Sequence, residues 1–423
     1  MGKKGAAETL DNVIMENWMI GALVMAVALV TSMAVFPWAL RFARKHGIVD
    51  NPNARKLQRV PVPVFGGIVV YSGILMGGLV LAAFMWSWVM VFGLIGMTIM
   101  MLIGMWDDQK DISALLRFAI EIGLVSAFIA LTGVYIDDLH GLWGIDKLND
   151  WIAIPLSVVA GVGIINAVNL IDGVDGYSSG YGMMACTLFG LCYWTVWSPT
   201  MTCMTMIVIG ALFPFFMHNV FGQKSRMFIG DGGTLMLGMF MTVCTFYALS
   251  STQSCGKLDE QGLSLTAFTL AVLCIPVFDT LRVMSLRILR GKSPFKPDKT
   301  HLHHLFIDMG FSHLGAALFI LSINLMVVLI WLLTWKMGAS MEVQFYVVVA
   351  VSALVTLGFY KFMKVQQNGG PRDEEGFPEG TRLWHMMCRL GDWTHKENNR
   401  SWQFLERLMD GPMMGAKSKK IHD

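Results

Sequence analysis

Charged residues are scarce in this sequence, and it has no cysteine pattern typical of a zinc site or a disulfide framework. Only 15% of the 423 residues are charged, while 55% are apolar, and this composition excludes a soluble globular domain. The 32 Lys and Arg nearly balance the 30 Asp and Glu, which excludes a globally basic nucleic-acid binder and an acidic disordered tail. We therefore expect a membrane protein with no nucleic-acid partner.

The seven cysteines lie mostly in apolar runs and form no Cys-x-x-Cys pair. Zinc sites and disulfide frameworks are recognised by such spacings, so these residues are interpreted as buried free thiols. The first seventeen residues are polar, and no small-residue cleavage site follows a short apolar core. A removable signal peptide is therefore not expected.

Apolar runs long enough to cross a bilayer, which takes about 20 residues, recur eleven times along the chain. The predicted fold is an all-α polytopic membrane protein of about eleven transmembrane helices. The predicted spans cover residues 18–40, 67–86, 88–105, 116–133, 151–170, 177–197, 201–217, 232–250, 264–281, 313–334 and 342–363. The predicted domains are an external N-terminal segment at 1–17, a transmembrane catalytic domain with cytoplasmic loops at 18–363, and a cytoplasmic tail at 364–423.

The distribution of Lys and Arg predicts the orientation, because positively charged loops stay on the cytoplasmic side. One set of alternate loops holds 16 of these residues, while the opposite set, with the N-terminus, holds five. The N-terminus is therefore predicted outside and the C-terminus in the cytoplasm of a bacterial inner membrane. Apolar residues spaced from Trp384 to Leu408 predict amphipathic helices on the inner leaflet, or equally a small partner-binding extension.

Two clusters of polar residues lie at predicted span ends on the cytoplasmic side. Asp107 and Asp108 are adjacent, and two such close carboxylates are tolerated where a cation compensates them. Asn169, Asp172 and Asp175 recur every third residue, so on a helical turn they would share one face. The alternatives are a solvated helix end for the first cluster and ion coupling in a transporter for the second.

Two further clusters lie in later cytoplasmic loops. Asp231, flanked by glycines, opens the eighth predicted span and is either a helix cap or part of a magnesium-phosphate site. His301, His303 and His304 follow two lysines and make a cationic surface that donates hydrogen bonds. A zinc site is a weaker alternative there, because no thiolates accompany the histidines.

These clusters, with Arg117 and the pair Arg55 and Lys56, gather at one membrane face in the predicted topology. Carboxylates and bases without redox ligands fit a phosphoryl transfer that depends on Mg²⁺, or on Mn²⁺ as a substitute. Such a site at a membrane implies a soluble nucleotide-type substrate and a lipid acceptor. A secondary transporter is the alternative from another class, although transporters place such acids near the bilayer midplane and often contain inverted repeats.

The motifs resemble the polyprenyl-phosphate N-acetylhexosamine-1-phosphate transferase family, which is glycosyltransferase family 4. The resemblance covers roughly residues 20–335. Its carriers are Asp50-Asn-Pro-Asn-Ala-Arg55-Lys56, Phe65-Gly66-Gly67, Asp107-Asp108, the run from Asn166 to Gly176, Phe228-Ile-Gly-Asp231 and His301-Leu-His303-His304. The His-x-His-His form after Pro-Phe-x-Pro-Asp is similar to the WecA/TagO branch, which uses UDP-GlcNAc, rather than to the MraY branch, which uses UDP-MurNAc-pentapeptide.

The resemblance implies a metal site and a catalytic role for the acids. Asp231 and Asn169 would bind Mg²⁺, and Asp107 and Asp108 would lie beside the metal. One of these two would position or deprotonate the phosphate of the lipid. The catalytic residues implied are these three aspartates with the histidines 301, 303 and 304, which would contact the sugar-phosphate.

The resemblance also implies substrate contacts. Phe228 would stack on uracil and Asp172 would lie near the nucleoside. The remaining residues predicted to bind substrate are Asp175, Asn169, Arg117, Arg55 and Lys56. Arg117 stands where the family often has Lys and keeps the charge that a phosphate needs. This chain departs from the family at Gln58 and Val64, which replace a His and an Arg, and this leaves the contacts of that loop with sugar or lipid open.

The expected reaction is transfer of GlcNAc-1-phosphate from UDP-GlcNAc to undecaprenyl phosphate with release of UMP. Direct attack by the lipid phosphate needs no covalent intermediate, and a two-step route through an Asp nucleophile is the alternative. Another UDP-HexNAc donor or UDP-MurNAc-pentapeptide is the alternative substrate. A homodimer is left open. A CDP-alcohol phosphotransferase is excluded, because its Asp-Gly-x-x-Ala-Arg string is absent.

Overall fold

Helices make up most of this computed structural model, which describes residues 3–50, 61–110, 112–253, 255, 258, 261–293, 300–368, 382–395 and 400–411. The helices are α1 (Lys3–Lys45), α2 (Gly66–Phe84), α3 (Trp88–Lys110), α4 (Ala114–Thr132), α5 (Asp150–Leu170), α6 (Tyr177–Thr195), α7 (Pro199–Phe221), α8 (Gly230–Ala248), α9 (Leu265–Val272), α10 (Cys274–Leu289), α11 (Leu302–Asp308), α12 (His313–Lys336), α13 (Met341–Asn368), α14 (Arg382–Trp393) and α15 (Arg400–Asp410). Two short antiparallel strands, β1 (Val49–Asp50) and β2 (Val62–Pro63), pair with each other.

Among the described residues, eight helices are long and apolar enough to cross a membrane, and the bent pair of α9 and α10 makes nine if it is one broken span. The prediction of an all-α polytopic membrane protein is therefore confirmed. The other two predicted spans correspond to α6 and α8, which have 19 residues each but are not among the candidate spans. The number eleven and the orientation of the termini stay predictions.

Two boundaries differ from the sequence-based expectation. Helix α1 begins at Lys3 rather than at residue 18, and the candidate span within it is Ile14–Lys45. The predicted span 264–281 is broken, because α9 and α10 meet at an angle of 73°. Pro276 lies in the first turn of α10, where its missing N–H removes one hydrogen bond that a continuous helix would make through the bend.

Helix α8 lies at the centre of the bundle and is buried along nearly its whole length. It packs against α2, α3 and α5, and small residues allow these backbones to approach closely. A Cβ atom on Gly104 of α3 would lie 2.4 Å from the backbone of Asp231. This contact places the end of α3 directly against the beginning of α8.

The segment that leads into α8 is joined to the beginning of α2. Gly66 N donates to Phe228 O at 2.9 Å, and Gly67 N donates to Ile229 O at 2.8 Å. Val64 forms a parallel bridge with Phe228. These bonds connect β2 and α2 to the turn that carries Phe228 and Asp231.

The described part of the tail packs against the bundle. Ser312, before α12, hydrogen-bonds with Thr394 (Oγ to Oγ1, 2.8 Å), and the rings of Phe221 and Trp402 lie 5.2 Å apart. Of the cysteines, six that the structure describes are free and buried, which confirms the interpretation for those six.

Candidate active site

The carboxylate of Asp108 caps the beginning of α8. Asp231 N donates to Asp108 Oδ1 at 3.0 Å, and Gly232 N lies 3.4 Å from Oδ2. The first N–H groups of a helix have no partner within the helix and attract an anion. Gly230 has φ +72°, and a Cβ there would lie 2.5 Å from Asp108 Oδ2. Only glycine therefore fits this position comfortably.

The end of α5 supplies an amide to the same place. Asn169 Nδ2 donates to Asp231 Oδ1 at 2.9 Å and to Thr234 Oγ1 at 2.8 Å. Asp172, in the turn after α5, accepts a hydrogen bond from Ser178 Oγ at 2.7 Å. Asp108, Asp231, Asn169 and Asp172 are called the acidic patch below.

Asp172 lines the cavity and is exposed to it. The surrounding protein still desolvates the Asp172 carboxyl and raises its pKa to about 7, and the charges of Asp231 and Asp175 add to the rise. Acids that raise each other's pKa create a negative potential, which favours a bound cation.

The resemblance implies a Mg²⁺ ion, and the acidic patch is where it would bind. Within the described residues, no group of three or more His, Cys, Asp or Glu side chains could hold a metal ion. Mg²⁺ usually keeps several waters and binds through one or two carboxylates together with substrate phosphates. Asp108 and Asp231, with the amide oxygen of Asn169, are the hard oxygen donors that such a shared site requires. The patch therefore fits a Mg²⁺ ion brought together with a phosphate-bearing substrate.

Asp107 belongs to a different cluster from its neighbour. Its Oδ2 lies 3.0 Å from Arg117 Nη1, and its Oδ1 accepts from Ile112 N at 2.9 Å. Arg117 Nη2 also donates to Asn166 Oδ1 at 3.3 Å, and Glu121, which is fully buried, accepts from Asn166. Asp107 therefore pairs with a cation that the protein supplies, and Asp108 pairs with the α8 amides.

A buried aspartate of α10 holds the histidine segment. Asp279 Oδ2 accepts from His301 Nδ1 at 2.9 Å and from Leu302 N at 3.2 Å, while Arg282 Nη2 donates to its Oδ1 at 2.7 Å. An acid in this position orients the imidazole ring and fixes its tautomer.

His303 packs against the turn that follows α5. A Cβ on Gly173 would lie 2.0 Å from His303 Nε2, so only glycine allows this contact. Burial lowers the pKa of His303 well below its usual value, and the neighbouring His304 and His301 lower it further. His303 is therefore neutral at physiological pH. The ring centroid of His304 lies 4.3 Å from that of His303.

Arg226 connects Asp175 to Phe228, because its guanidinium contacts both side chains. Asp175 Oδ2 accepts from Arg226 Nη2 and lies 3.0 Å from His313 Nδ1. The guanidinium of Arg226 lies 5.6 Å from the centroid of the Phe228 ring. The aromatic side chain and its cation are therefore positioned together at the edge of the acidic patch.

A cavity of about 1580 Å³ connects these groups. Its polar part contains the acidic patch and the three histidines. Its other part, called the apolar limb, is lined by α5, α9 and α10, with Val159, Gly163, Leu270, Leu273 and Val277 among its residues. The cavity also contacts Asp231 at the beginning of α8 and Leu249 just after its end. It therefore runs along most of the length of the bundle.

Comparison with known proteins places the chain in a family. The model of glycosyl transferase family 4 matches residues 88–249. A probable undecaprenyl-phosphate N-acetylglucosaminyl 1-phosphate transferase of Bacillus subtilis (strain 168) is 30% identical over 289 residues, which are 68% of this chain and 77% of the relative. The chain belongs to glycosyl transferase family 4.

Two other relatives of this family 4 member have names that describe the same kind of transferase. The undecaprenyl-phosphate alpha-N-acetylglucosaminyl 1-phosphate transferase of Escherichia coli (strain K12) is 28% identical over 291 residues, covering 68% of this chain and 76% of the relative. The decaprenyl-phosphate N-acetylglucosaminephosphotransferase of Mycolicibacterium smegmatis (strain ATCC 700084 / mc(2)155) is 28% identical over 330 residues, covering 71% and 78%. The predicted resemblance is confirmed, and the protein is a sugar-phosphate transferase of the membrane.

The predicted site residues of this family 4 transferase that the structure describes all line the cavity. They are Asp107, Asp108, Arg117, Asn169, Asp172, Asp175, Phe228, Asp231, His301, His303 and His304. Arg55, Lys56 and Gln58 lie outside the described residues. Their predicted roles stay predictions, as does that of the metal.

Several residues that position the site of this transferase were not predicted from the sequence. They are Glu121, Asn219, Arg226, Asp279, Arg282 and His313. Glu121 and Asp279 stand as single acids within apolar helices. A lone acid in a membrane helix indicates function by default, and this signal could have found both. No comparable signal marks Asn219 or Arg226.

Proposed function

We propose that this transferase moves N-acetylglucosamine 1-phosphate from UDP-GlcNAc to undecaprenyl phosphate and releases UMP, at the cytoplasmic face of a bacterial inner membrane. The observation that carries the proposal is one cavity that joins the acidic patch and the histidines to an apolar limb. The printed names of the relatives support the same reaction. The product would be a lipid-diphosphate-sugar, formed in the first membrane step of cell-envelope polysaccharide synthesis.

The size and lining of the cavity support two substrates of different polarity. Its volume of about 1580 Å³ exceeds the roughly 300–1,000 Å³ of an ordinary small-molecule pocket. The polar part suits a nucleotide sugar, and the apolar limb along α5, α9 and α10 suits an isoprenyl chain. The phosphate of the lipid would then lie where the two parts meet.

The acids and the metal would hold the two phosphate groups. Mg²⁺, with Mn²⁺ as a substitute, would be held by Asp108, Asp231 and Asn169 and would neutralise the diphosphate. Asp107 and Glu121 orient Arg117, whose guanidinium would face the lipid phosphate and absorb its charge. An oxygen of that phosphate would attack the β-phosphorus in line, forming the new P–O bond as the bond to UMP breaks.

The remaining side chains would recognise the donor. Phe228 would stack on the uracil ring, with Asp172 beside the nucleoside and Arg226 held by Asp175. The histidine segment, fixed by Asp279, would donate hydrogen bonds to the sugar-phosphate. Because His303 is neutral, it would act as a hydrogen-bond donor or acceptor rather than as a cation.

The proposal is tested by measuring UMP release by the purified full-length protein in detergent. The complete reaction contains Mg²⁺, undecaprenyl phosphate and UDP-GlcNAc. Separate arms omit the lipid, add EDTA, or replace the donor with UDP-MurNAc-pentapeptide or UDP-GalNAc. UMP that appears only with lipid, metal and UDP-GlcNAc would support the reaction, cofactor and donor together.

Three other outcomes would contradict parts of the proposal. UMP release without lipid would indicate a hydrolase. Faster turnover with another donor would show that the donor is not UDP-GlcNAc. A folded protein that is silent in every arm would reject the reaction, and cation-driven uptake in vesicles would then test the transporter alternative.

A further inference from the structure

The turn between α7 and α8 encloses a carboxylate from the far end of the chain. Gln223 N and Lys224 N donate to Asp410 Oδ2 at 3.3 and 3.0 Å. Ser225 donates to Oδ1 twice, from its N at 3.0 Å and from its Oγ at 2.9 Å. Successive backbone N–H groups of this kind form a nest that binds an anion. Here the anion is the last residue of α15, 185 residues further along the chain.

The donors of the turn hold Asp410 in its ionised form. Burial by itself would raise the pKa of this carboxyl, but the hydrogen bonds from the turn outweigh burial and lower it. Asp410 is only 5% exposed. Hydrogen bonds to a charged group are about twice as strong as neutral ones, so this contact holds the turn firmly.

Neighbouring elements hold the same turn from other sides. Arg44 of α1 donates to Lys224 O, and His218 Nδ1 lies 3.0 Å from Ser225 Oγ. Trp402 of α15 packs on Phe221 at the end of α7. The turn is therefore clamped between the first helix and the last helix of the bundle.

The clamped turn leads directly into the donor side of the site. Ser225 is followed by Arg226, which pairs with Asp175 and lies beside the Phe228 ring. Phe228 N then donates to Pro63 O at 2.8 Å. Arg226 directly follows Ser225, and only Arg226 and Met227 separate Ser225 from Phe228. A shift of the turn would therefore move Arg226 and tilt Phe228.

We propose that Asp410 is a positioning residue: from the C-terminal helix it fixes the turn of residues 223–225 and thereby sets Arg226 and Phe228 for the uridine of the donor. This inference rests on the proposed function. It gives the tail a role inside the transferase itself, whereas the sequence predicted a helix on the lipid surface or a partner-binding extension.

The test compares Asp410→Asn with Glu406→Gln in the full-length protein. Glu406 lies on the same helix, one turn away, and is a matched control for loss of an acid. The measurements are kcat, KM for UDP-GlcNAc, KM for undecaprenyl phosphate, affinity for UDP, and hydrogen exchange of the amides of residues 222–228.

Asp410→Asn should raise KM for UDP-GlcNAc and the Kd for UDP about tenfold, the effect of losing one charged hydrogen bond. The amides of the turn should exchange faster. The kcat and the KM for the lipid should stay within about twofold of the wild type, and Glu406→Gln should change none of these quantities. This selective effect on the donor would separate positioning from a general loss of structure.

An unchanged donor KM in Asp410→Asn would overturn the inference. So would an equal loss for both substrates accompanied by a lower melting temperature. If the wild type releases no UMP, the proposed function fails, and UDP binding decides separately: a wild type that binds UDP more tightly than Asp410→Asn supports the positioning role, and equal or absent binding rejects it.

Discussion

The two adjacent aspartates show how single residues divide the chemistry of the site. Neighbouring positions on a helix point about 100° apart, so Asp107 and Asp108 take different partners. Asp107 contacts Arg117, and Asp108 contacts the N–H groups of Asp231 and Gly232. Asp107 holds Arg117, the cation proposed to meet the lipid phosphate, while Asp108 belongs to the acidic patch.

Replacing either acid of the α8 terminus should abolish turnover. We expect Asp108→Asn and Asp231→Asn each to lower kcat by about a hundredfold or more, because each removes a carboxylate that is proposed to hold the metal. The measurement is UMP release at saturating substrates, with circular dichroism to verify folding. Asp146→Asn, at an exposed position, is the control and should keep wild-type activity. Substantial activity in Asp231→Asn would contradict the metal assignment.

The low pKa of His303 predicts a stability that depends on pH. Because the folded-state pKa lies below the unfolded value of about 6.5, the contribution of neutral His303 is present above that pH and is lost as pH falls below it. Acidification from pH 7.5 to 5.5 should lower the melting temperature of the wild type more than that of His303→Asn. The groups that face His303 are His301, His304, His313 and Asp279, and they are unchanged in both proteins. Equal pH dependence in the two proteins would contradict this prediction.

At the scale of elements, the packing of α3 on α8 brings Asp108 to its helix terminus. The contact depends on Gly104, where a Cβ would meet the carbonyl of Asp231 and the N of Gly232 at 2.4 Å. Backbone atoms cannot rotate away as a side chain does. An added methyl group would therefore force the two helices apart.

Gly104→Ala should reduce kcat by about tenfold or more and should lower stability by about 1–3 kcal/mol, the usual cost of overpacking. The loss of activity would follow from moving Asp108 off the α8 terminus, and the loss of stability from the crowded contact between the helices. UMP release and thermal melting measure them. Gly123→Ala in α4 is the matched control, because a Cβ there meets nothing within 4 Å. If both variants behave alike, the close α3–α8 contact is not what positions Asp108.

The break between α9 and α10 shows what the sequence could predict about an element and what it could not. Pro276, in the first turn of α10, lacks the N–H that a continuous helix would use there. Pro37, Pro155 and Pro214, however, lie inside unbroken helices, so a proline alone does not predict the break. The chain alone does not reveal what satisfies the freed backbone groups, which is required within a bilayer. Asn324 of α12 does so: its Nδ2 donates to Ala271 O and Val272 O, and its Oδ1 accepts from Ile275 N.

For the whole molecule, the decisive feature is that the apolar limb and the acidic patch belong to one cavity. The limb is lined by α5 and by the bent pair of α9 and α10. A lipid bound there would be held by its chain and would react at its phosphate. Chain length should then affect binding of the acceptor and leave binding of the nucleotide sugar unchanged.

Narrowing the apolar limb should weaken binding of the lipid acceptor and leave binding of the nucleotide sugar unchanged. Gly163 lines the cavity, and a Cβ there meets open space, so Gly163→Leu should fold and occupy part of the limb. We expect KM for undecaprenyl phosphate to rise about tenfold, with KM for UDP-GlcNAc unchanged. Gly123→Leu, on α4, is the control. A farnesyl phosphate acceptor should be affected less, and an equal effect on both acceptors would place the lipid chain elsewhere.

The sequence by itself determined the membrane fold, and it indicated most of the polar residues that line the cavity. Long apolar runs require a lipid environment whatever their order, and acids beside glycines at span ends are visible within a few residues. These features are local, so the pattern of the chain is enough to predict them.

Only the tertiary structure decided which partner each charged group takes. Asp108 meets the amide of Asp231, which is 123 residues away, and Asp410 meets the turn at Ser225 across 185 residues. Such pairs depend on the distance at which helices pack and on the angle at which they cross. Both are set by glycine contacts and side-chain packing between distant segments, and no local pattern in the chain records them.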